Sequence, residues 1–175
     1  MTAGKKEHFA CYVVDILFWL FLIWVDLTSK AIAEANLKGE APIQLIDGVL
    51  EFMYLENTGA AFSMLENAQW LFILIAFLAM ILIGVILVKM PKTKHYIPMH
   101  ILLILISAGA TGNLVDRLTL HYVRDFIYIS LIDFPVFNVA DMYVTVSTIL
   151  LVILVLFYYH DEDFAFLGFQ TSHTK

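Results

Sequence analysis

Residues 68–88 read AQWLFILIAFLAMILIGVILV, a run of 21 residues without one charged side chain. A helix rises about 1.5 Å per residue and the hydrocarbon core of a bilayer is about 30 Å thick, so roughly 20 apolar residues cross it. Residues 142–159 form a second charge-free run. The two runs predict two transmembrane helices and place the chain among the membrane proteins.

Two further segments meet the same length test, although each carries polar residues. Residues 11–33 are interrupted by Asp15 and Asp26, and residues 97–115 are polar at His100 and around 107–113. Basic residues precede the first segment, as they would a cleaved signal peptide, but no small-x-small cleavage pattern follows it. We therefore predict four uncleaved spans, at 11–33, 68–88, 97–115 and 142–159.

The composition agrees with a membrane protein and excludes an ordinary soluble domain. Apolar residues make up 61% of the chain and charged residues only 15%, whereas soluble domains have about a quarter charged residues. We expect one domain over 1–175, a membrane all-α four-helix bundle. The single Cys11 excludes an internal disulfide. No motif indicates a metal, another cofactor or nucleic acid.

The distribution of basic residues predicts the orientation, because short cytoplasmic loops are enriched in Lys and Arg. In a four-span chain Lys5, Lys6, Lys175 and the cluster at 89–94 share one side. Both termini should then be cytoplasmic, and the two longer loops, 34–67 and 116–140, should face outward.

Both outward loops contain β-prone runs. Asp47-Gly48 lies between two such runs, which is a strong signal for a two-residue hairpin turn. Residues 122–129 are also β-like and apolar. We expect an extracytoplasmic β-hairpin cradle and a second, partly ordered loop, packed against each other or against the bilayer surface.

Polar residues gather at the predicted outer ends of the spans and in the outward loops. A charge at a membrane helix centre costs at least about 2.5 kcal/mol, so each one suggests a function. The set is Asp26, Lys30, Asn57, Asn113, Asp116, Arg117, Asp125, Asn138 and Asp141. Structural interpretations compete with functional ones. Asp26 and Lys30, four residues apart, fit a helix-surface ion pair, and Asn57 fits a turn. Asp116 and Arg117 fit the end of the third span.

Asp125 and Asp141 are the acids that an apolar loop could bring together at the start of the fourth span. Two carboxylates in a low-dielectric place share one proton near neutral pH, which provides a base for water and an acid for a leaving amine. The structural alternatives are an Asn138–Asp141 helix cap and pairing of Asp125 with Arg124. The residues alone leave both interpretations open.

Five blocks in order resemble those of lipoprotein signal peptidase, also called signal peptidase II, along nearly the whole chain. They are DLTSK at 26–30, NTGAAF at 57–62, GATGNLVDR at 109–117, VRDF at 123–126 and FPVFNVAD at 134–141. No single block is specific, but five in order on the expected spans and loops are.

The resemblance implies an intramembrane aspartyl endopeptidase with Asp125 and Asp141 as its catalytic dyad. It assigns the site lining to Asn57, Asn113, Arg117 and Asn138, and a supporting role to Asp116, Asp26 and Lys30. The family removes signal peptides from diacylglyceryl-modified prolipoproteins, cleaving before the lipidated cysteine, and is inhibited by globomycin. The resemblance also implies a site near the outer face of a bacterial plasma membrane, which receives substrates laterally from membrane lipid. We further expect a monomer without a cofactor.

Two departures from the family pattern concern the site. Arg124 stands where the family usually has an apolar residue, and the interval from Asp125 to Asp141 is short. Adjacent side chains of a strand point to opposite faces, so Arg124 should point away from the dyad. We expect the short interval to trim the loop without moving the acids.

Two other functional classes fit a chain of this kind. In a proton-coupled transporter the acids would form a relay between the two membrane faces, but here they cluster on one side. In a non-catalytic assembly factor, the small residues Gly109, Ala110 and Gly112 would form a docking surface. Such a factor would tolerate Asp125→Asn, whereas a peptidase would not.

Overall fold

The computed structural model describes residues 3–59 and 69–168, with side chains from residue 11 onward. The elements are α1 (Ala3–Leu37), β1 (Ile43–Ile46), β2 (Leu50–Asn57), α2 (Gln69–Lys89), α3 (Ile97–Thr119), β3 (Val123–Tyr128) and α4 (Val139–Phe157). Short 3-10 segments lie at Lys94–Tyr96, Ser130–Ile132 and Asp161–Leu167. Residue 68, part of the first outward loop (60–67) and the end of the tail (169–175) lie outside the described residues.

Within the described residues, four helices are long and apolar enough to cross a membrane, which confirms the predicted fold class. They cover Cys11–Leu37, Gln69–Lys89, Lys94–Thr119 and Val139–Phe157. The first and third continue to residues 37 and 119, past the predicted ends at 33 and 115. Asp26, Lys30 and Asp116, the polar residues near these ends, are buried and do not end the helices. The fourth begins three residues early because Asn138 caps it.

Helix α3 is the centre of the bundle. Half of its most apolar stretch is buried, against at most 17% in the other three helices. A side chain at Gly109 would collide with the Ala140 carbonyl of α4, and one at Gly112 with the Asp26 carboxylate of α1. These glycines therefore let neighbouring spans approach α3.

The two loops that we predict to face outward form one three-stranded antiparallel sheet in the order β1-β2-β3. The predicted hairpin is present, but its turn has three residues, because Ile46 pairs with Leu50. Gly48 has a φ of 64°, whereas Asp47 has no positive φ, so the two-residue type I′ turn does not form. Strand β3 pairs along β2, so the predicted packing of the two loops against each other is confirmed.

The sheet is seated on one end of the bundle, which we call the sheet end. Ala33 and Leu37 of α1 form a buried apolar cluster with Phe126 of β3, and Phe52 of β2 packs against it. The open side of β3 is covered by Phe137, whose backbone pairs with Ile127. The sheet end also contains the end of α3 and the start of α4, where the predicted polar residues lie.

Candidate active site

A cavity of about 250 Å³ opens at the sheet end, between α3, α4 and the strands. Both Asp125 and Asp141 line it, so the structure brings the two predicted acids to one site. The other lining residues are Asn57, Gly59, Asn113, Arg117, Val123, Phe134, Pro135, Val136, Phe137 and Thr145. About half of the lining residues are polar, and the amides of Asn57 and Asn113 bond the two carboxylates.

Asp125 lies in β3 and is only 1% exposed. Its Oδ2 accepts a hydrogen bond from Asn57 Nδ2 at 2.8 Å, and its Oδ1 accepts one from Asn138 Nδ2 at 2.6 Å. Burial and, next, the negative charge of Asp141 raise the pKa of Asp125 to about 7, although the two amide hydrogen bonds act the other way. Asp125 is therefore poised to hold or release a proton near neutral pH.

Asp141 lies in the first turn of α4, inside a capping box. Asn138 Oδ1 accepts from the Asp141 backbone N–H at 3.1 Å, and Asp141 Oδ2 accepts from the Asn138 backbone N–H at 3.2 Å. The predicted cap is therefore present, but it is also part of the site, because Asn138 holds Asp125 with its amide nitrogen. The structural interpretation of this motif is confirmed, and the functional one stays a prediction.

Asn113 of α3 holds the other oxygen of Asp141, donating to Oδ1 at 2.7 Å. Its own Oδ1 accepts from Lys30 Nζ at 2.8 Å and from Asn138 Nδ2 at 3.1 Å. These two donors fix the orientation of the Asn113 amide, so that its nitrogen must face Asp141.

Asp26, Lys30 and Asp116 form a fully buried ionic cluster behind the amides. Lys30 Nζ lies 2.8 Å from Asp26 Oδ2 and 3.7 Å from Asp116 Oδ2, and all three side chains are 0% exposed. The other oxygen of Asp26 accepts from the Ala140 backbone N–H at 2.9 Å, which ties α1 to the start of α4. The interpretation of Asp26 and Lys30 as a helix-surface pair is wrong, because the i,i+4 spacing also fits an interior face.

Arg124 points away from the dyad, as its position in a strand predicts. It bonds Asp116 through its backbone N, Nε and Nη2 at 3.1, 3.2 and 2.7 Å, and Glu34 through Nη1 at 3.1 Å. Its pairing with Asp125, the structural alternative, is therefore wrong. Asp116 does more than end a helix, since α3 continues three residues past it.

Arg117 lines the cavity and interacts electrostatically with Asp141 and Asp125. Its guanidinium lies 5.1 Å from the centre of the Phe72 ring of α2, a cation–π arrangement that fixes the side chain. Asn57 also closes a turn, because its Oδ1 accepts from the Gly59 backbone N–H at 3.0 Å. Ala60, Ala61 and Phe62 of the same block lie outside the described residues.

Sequence reasoning missed Thr145 and Glu34. Thr145 lies one helical turn after Asp141 and lines the same cavity, so the i,i+4 spacing could have identified it. Glu34 contacts Arg124 across 90 positions of sequence, and no local pattern indicates that pair. Within 3–59 and 69–168 there is no group of three His, Cys, Asp or Glu residues suited to a metal ion.

The fold and the site together define a multi-pass membrane protein with a carboxylate pair in a cavity at the sheet end. A family model described as signal peptidase (SPase) II matches residues 18–157. The chain belongs to the signal peptidase II family, and is thus a membrane peptidase.

Curated relatives and solved structures agree with the family. The chain is 41% identical over 143 residues to a lipoprotein signal peptidase of Clostridioides difficile (strain 630), covering 82% of this chain and 95% of the relative. It is 37% identical over 150 residues to that of Streptococcus pyogenes serotype M5 (strain Manfredo), covering 85% and 95%. Two solved bacterial membrane enzymes superpose with TM-scores of 0.74 and 0.73, at 30% and 29% identity. The first superposition covers 82% of this chain and 87% of the solved chain, and the second covers 83% and 94%.

Proposed function

We propose that the protein is an intramembrane aspartyl endopeptidase that removes signal peptides from diacylglyceryl-modified prolipoproteins, cleaving before the lipidated cysteine. The observation that carries the proposal is the shared cavity of Asp125 and Asp141, in which amides hold both carboxylates and leave them facing the same space. Membership of the signal peptidase II family and the names of the relatives support the substrate class.

In the proposed reaction the two acids act as a unit with one shared proton. The ionised carboxylate takes a proton from water, and the water oxygen attacks the carbonyl carbon preceding the lipidated cysteine. The tetrahedral intermediate then breaks its C–N bond, and the protonated carboxyl gives its proton to the leaving nitrogen. Asp125 suits the protonated role at neutral pH, because its pKa is about 7. No metal or covalent intermediate enters the sequence of steps.

The surrounding side chains have supporting roles in this proposal. Arg117 is the cation nearest the cavity, and we assign it to the substrate carbonyl oxygen, where negative charge develops. Asn57, Asn113 and Asn138 hold the carboxylates in place, while the cluster of Asp26, Lys30 and Asp116 fixes the helix ends behind them.

The positions of the basic residues support a membrane placement. Lys89 and Lys94 are exposed and lie at the end of the bundle opposite the sheet, whereas Lys30 and Arg124 at the sheet end are held in ion pairs. We propose that both termini are cytoplasmic and that the sheet end lies at the outer face of a bacterial plasma membrane. Substrates would then enter laterally from the lipid, and the single domain would work as a monomer.

The test is cleavage of a diacylglyceryl-modified prolipoprotein by purified protein, with a chelator present. Wild type should release the signal peptide, and globomycin should block release by occupying the cavity. Asp125→Asn and Asp141→Asn should each lower the rate by at least about 10⁴-fold, because each removes half of the acid–base pair. Asp47→Asn, in the exposed hairpin turn, is the matched control and should retain full activity.

A rate lowered less than about 100-fold in either dyad variant would contradict the catalytic assignment. An inert wild type on an authentic lipidated substrate would contradict the peptidase proposal itself and favour the transporter or assembly alternatives. Cleavage of the same precursor without its lipid at an equal rate would contradict the substrate class, while leaving the dyad intact.

A further inference from the structure

The buried ionic groups behind the active site are balanced in charge. Asp26 and Asp116 each contribute one negative charge, and Lys30 and Arg124 each contribute one positive charge, so the sum is zero. Three of these side chains are 0% exposed and the Arg124 side chain is 13% exposed. An uncompensated charge at such depth is costly, so the loss of any one member forces the others to rearrange.

Arg124 provides the short hydrogen bonds to the Asp116 carboxylate. Both carboxylate oxygens of Asp116 are bonded by Arg124, through three N–H groups at 2.7–3.2 Å, while Lys30 Nζ stays 3.7 Å away. Lys30 Nζ instead donates its short hydrogen bonds to Asp26 and to the Asn113 amide oxygen, both at 2.8 Å. The Lys30 ammonium can therefore bond the Asn113 amide, because Arg124 already pairs with Asp116.

We infer that Arg124 is a positioning residue of the active site: by neutralising Asp116, it leaves Lys30 to hold the site amides. The amide concerned is Asn113, whose nitrogen holds Asp141. This inference rests on the proposed peptidase function for its kinetic consequences, but the hydrogen-bonded chain itself is independent of the substrate.

The same side chain fastens three elements around the site. Arg124 belongs to β3 directly before Asp125, and it reaches Glu34 on α1 and Asp116 on α3. The strand that carries one acid is thereby fixed against the helix that carries the amide of the other. Charged and titratable groups facing this network are Asp26, Lys30, Glu34 and Lys38 on α1, Glu56 on β2, Asp116 and Arg117 on α3, and Asp141 and Tyr143 on α4.

Removal of the Arg124 charge has two expected consequences. The unpaired Asp116 draws Lys30 away from Asn113, so the amide is no longer held and Asp141 loses its fixed donor. The buried cluster also becomes negative by one charge, which raises the pKa of Asp125 and keeps its proton to higher pH. A unit charge about 10 Å away at an effective dielectric near 20 shifts a pKa by about one unit.

The experiment compares Arg124→Met, Arg124→Lys and the double variant Arg124→Met/Asp116→Asn with wild type. Arg124→Met should lower kcat about tenfold with KM within about twofold, because the acids are displaced while the cavity keeps its shape. Its activity should persist about one pH unit higher before declining. Arg124→Lys should restore the wild-type pH dependence, and the double variant should do the same because the buried charge is again zero.

Lys38→Met is the matched control, because it removes a cation at the same end of the bundle from a side chain that is 51% exposed. Solvent screens that charge, so the pH dependence should not move. Thermal unfolding in detergent verifies that each variant is folded. Infrared titration of the protonated carboxylic acid in purified protein reports the same pH shift without substrate.

Several outcomes would overturn the inference. Arg124→Met with wild-type kcat and pH dependence would do so, and so would a less stable protein whose pH dependence is unchanged, since that indicates a structural role only. A double variant as impaired and as shifted as the single one would show that neutralisation of Asp116 is not the mechanism. An inert wild type would instead contradict the proposed function, while the infrared titration would still decide this inference.

Discussion

At the end of the bundle away from the sheet, Asp15 Oδ2 lies 2.7 Å from His100 Nε2 and 3.4 Å from Lys92 Nζ. At the sheet end, the carboxylates of Asp125 and Asp141 are bonded by amides and a backbone N–H, and no described residue forms an ion pair with them. Asp15 therefore has a bonded cation, whereas these two acids accept hydrogen bonds from neutral donors. A carboxylate already neutralised by a lysine is a poor base, so the two ends are suited to different work.

By cavity volume alone, the end of the bundle away from the sheet would be the better candidate for a binding site. The cavity beside Asp15 has about 430 Å³ and the one beside the dyad about 250 Å³. The larger cavity is lined by Lys92. The Lys92 ammonium bonds Asp15 and the Leu87 carbonyl, the latter at 3.3 Å, and it also lies near the His100 ring. We therefore base the candidate active site on the arrangement of charges and hydrogen-bond donors and not on cavity volume.

The largest effect expected at the sheet end, short of removing an acid, is that of Asn138→Ala. This change deletes the amide that holds Asp125 and the cap that holds the Asp141 backbone. We expect cleavage to fall about 100-fold or more, as on loss of a preorganised donor, and stability to fall by about 1 kcal/mol from the lost cap. Initial rates and thermal unfolding measure the two effects separately.

Asn36→Ala is the control for Asn138→Ala. The Asn36 side chain bonds only the Ile32 carbonyl on its own exposed helix surface, so its loss should leave cleavage unchanged. An Asn138→Ala protein that is less stable but fully active would mean that the capping box is merely structural. The distinction between the two ends would then rest on the acids alone.

A second difference between the ends is the cost of burying Asp125. Its pKa rises from 3.8 to about 7, so the folded protein binds a proton that the unfolded chain releases. Stability contributed by that proton is complete below about pH 4, falls as the pH rises, and is lost above about pH 7. Relative to wild type, Asp125→Asn should therefore gain stability between pH 4 and pH 8, by an amount on the order of 2–4 kcal/mol.

Chemical or thermal unfolding of wild type and Asp125→Asn across that range measures the gain. Asp47→Asn is the control, because its exposed side chain should give parallel curves for variant and wild type. A constant difference between Asp125→Asn and wild type at all pH values would show that Asp125 does not carry the raised pKa. Loss of activity above about pH 7 in wild type follows from the same proton.

The spans were predictable because bilayer thickness sets helix length, and residues 68–88 have no other interpretation. The residues alone already suggested that Asp125 and Asp141 could come together, and the family resemblance gave the pair its predicted catalytic role. The pairing of β2 with β3 was not predictable in register, since Glu56 lies opposite Arg124 only in the folded chain. Local patterns report which residues share a face, but not which face is buried.

The same limit explains the misassigned ion pair. An i,i+4 spacing of Asp26 and Lys30 is identical on a lipid-facing and an interior face of α1, and only the approach of α3 at Gly112 decides between them. Arg124 illustrates the converse case. Its strand position correctly predicted that it faces away from the dyad, but its partners on two different helices required the tertiary structure.

The smallest effect on cleavage is expected for Asp15→Asn, at the other end. The change leaves Lys92 and His100 without their carboxylate, and should lower stability by about 1–2 kcal/mol because these side chains are largely buried. Cleavage should stay within about twofold of wild type at a temperature where both proteins are folded, since no described contact connects Asp15 to the cavity at the sheet end.

Asp161→Asn, which changes an exposed acid on the same side, is the control for Asp15→Asn and should change neither stability nor cleavage. A folded Asp15→Asn protein that no longer cleaves would show that the two ends are coupled through α1 or α3, and the charge arrangement of the sheet end alone would then not account for catalysis.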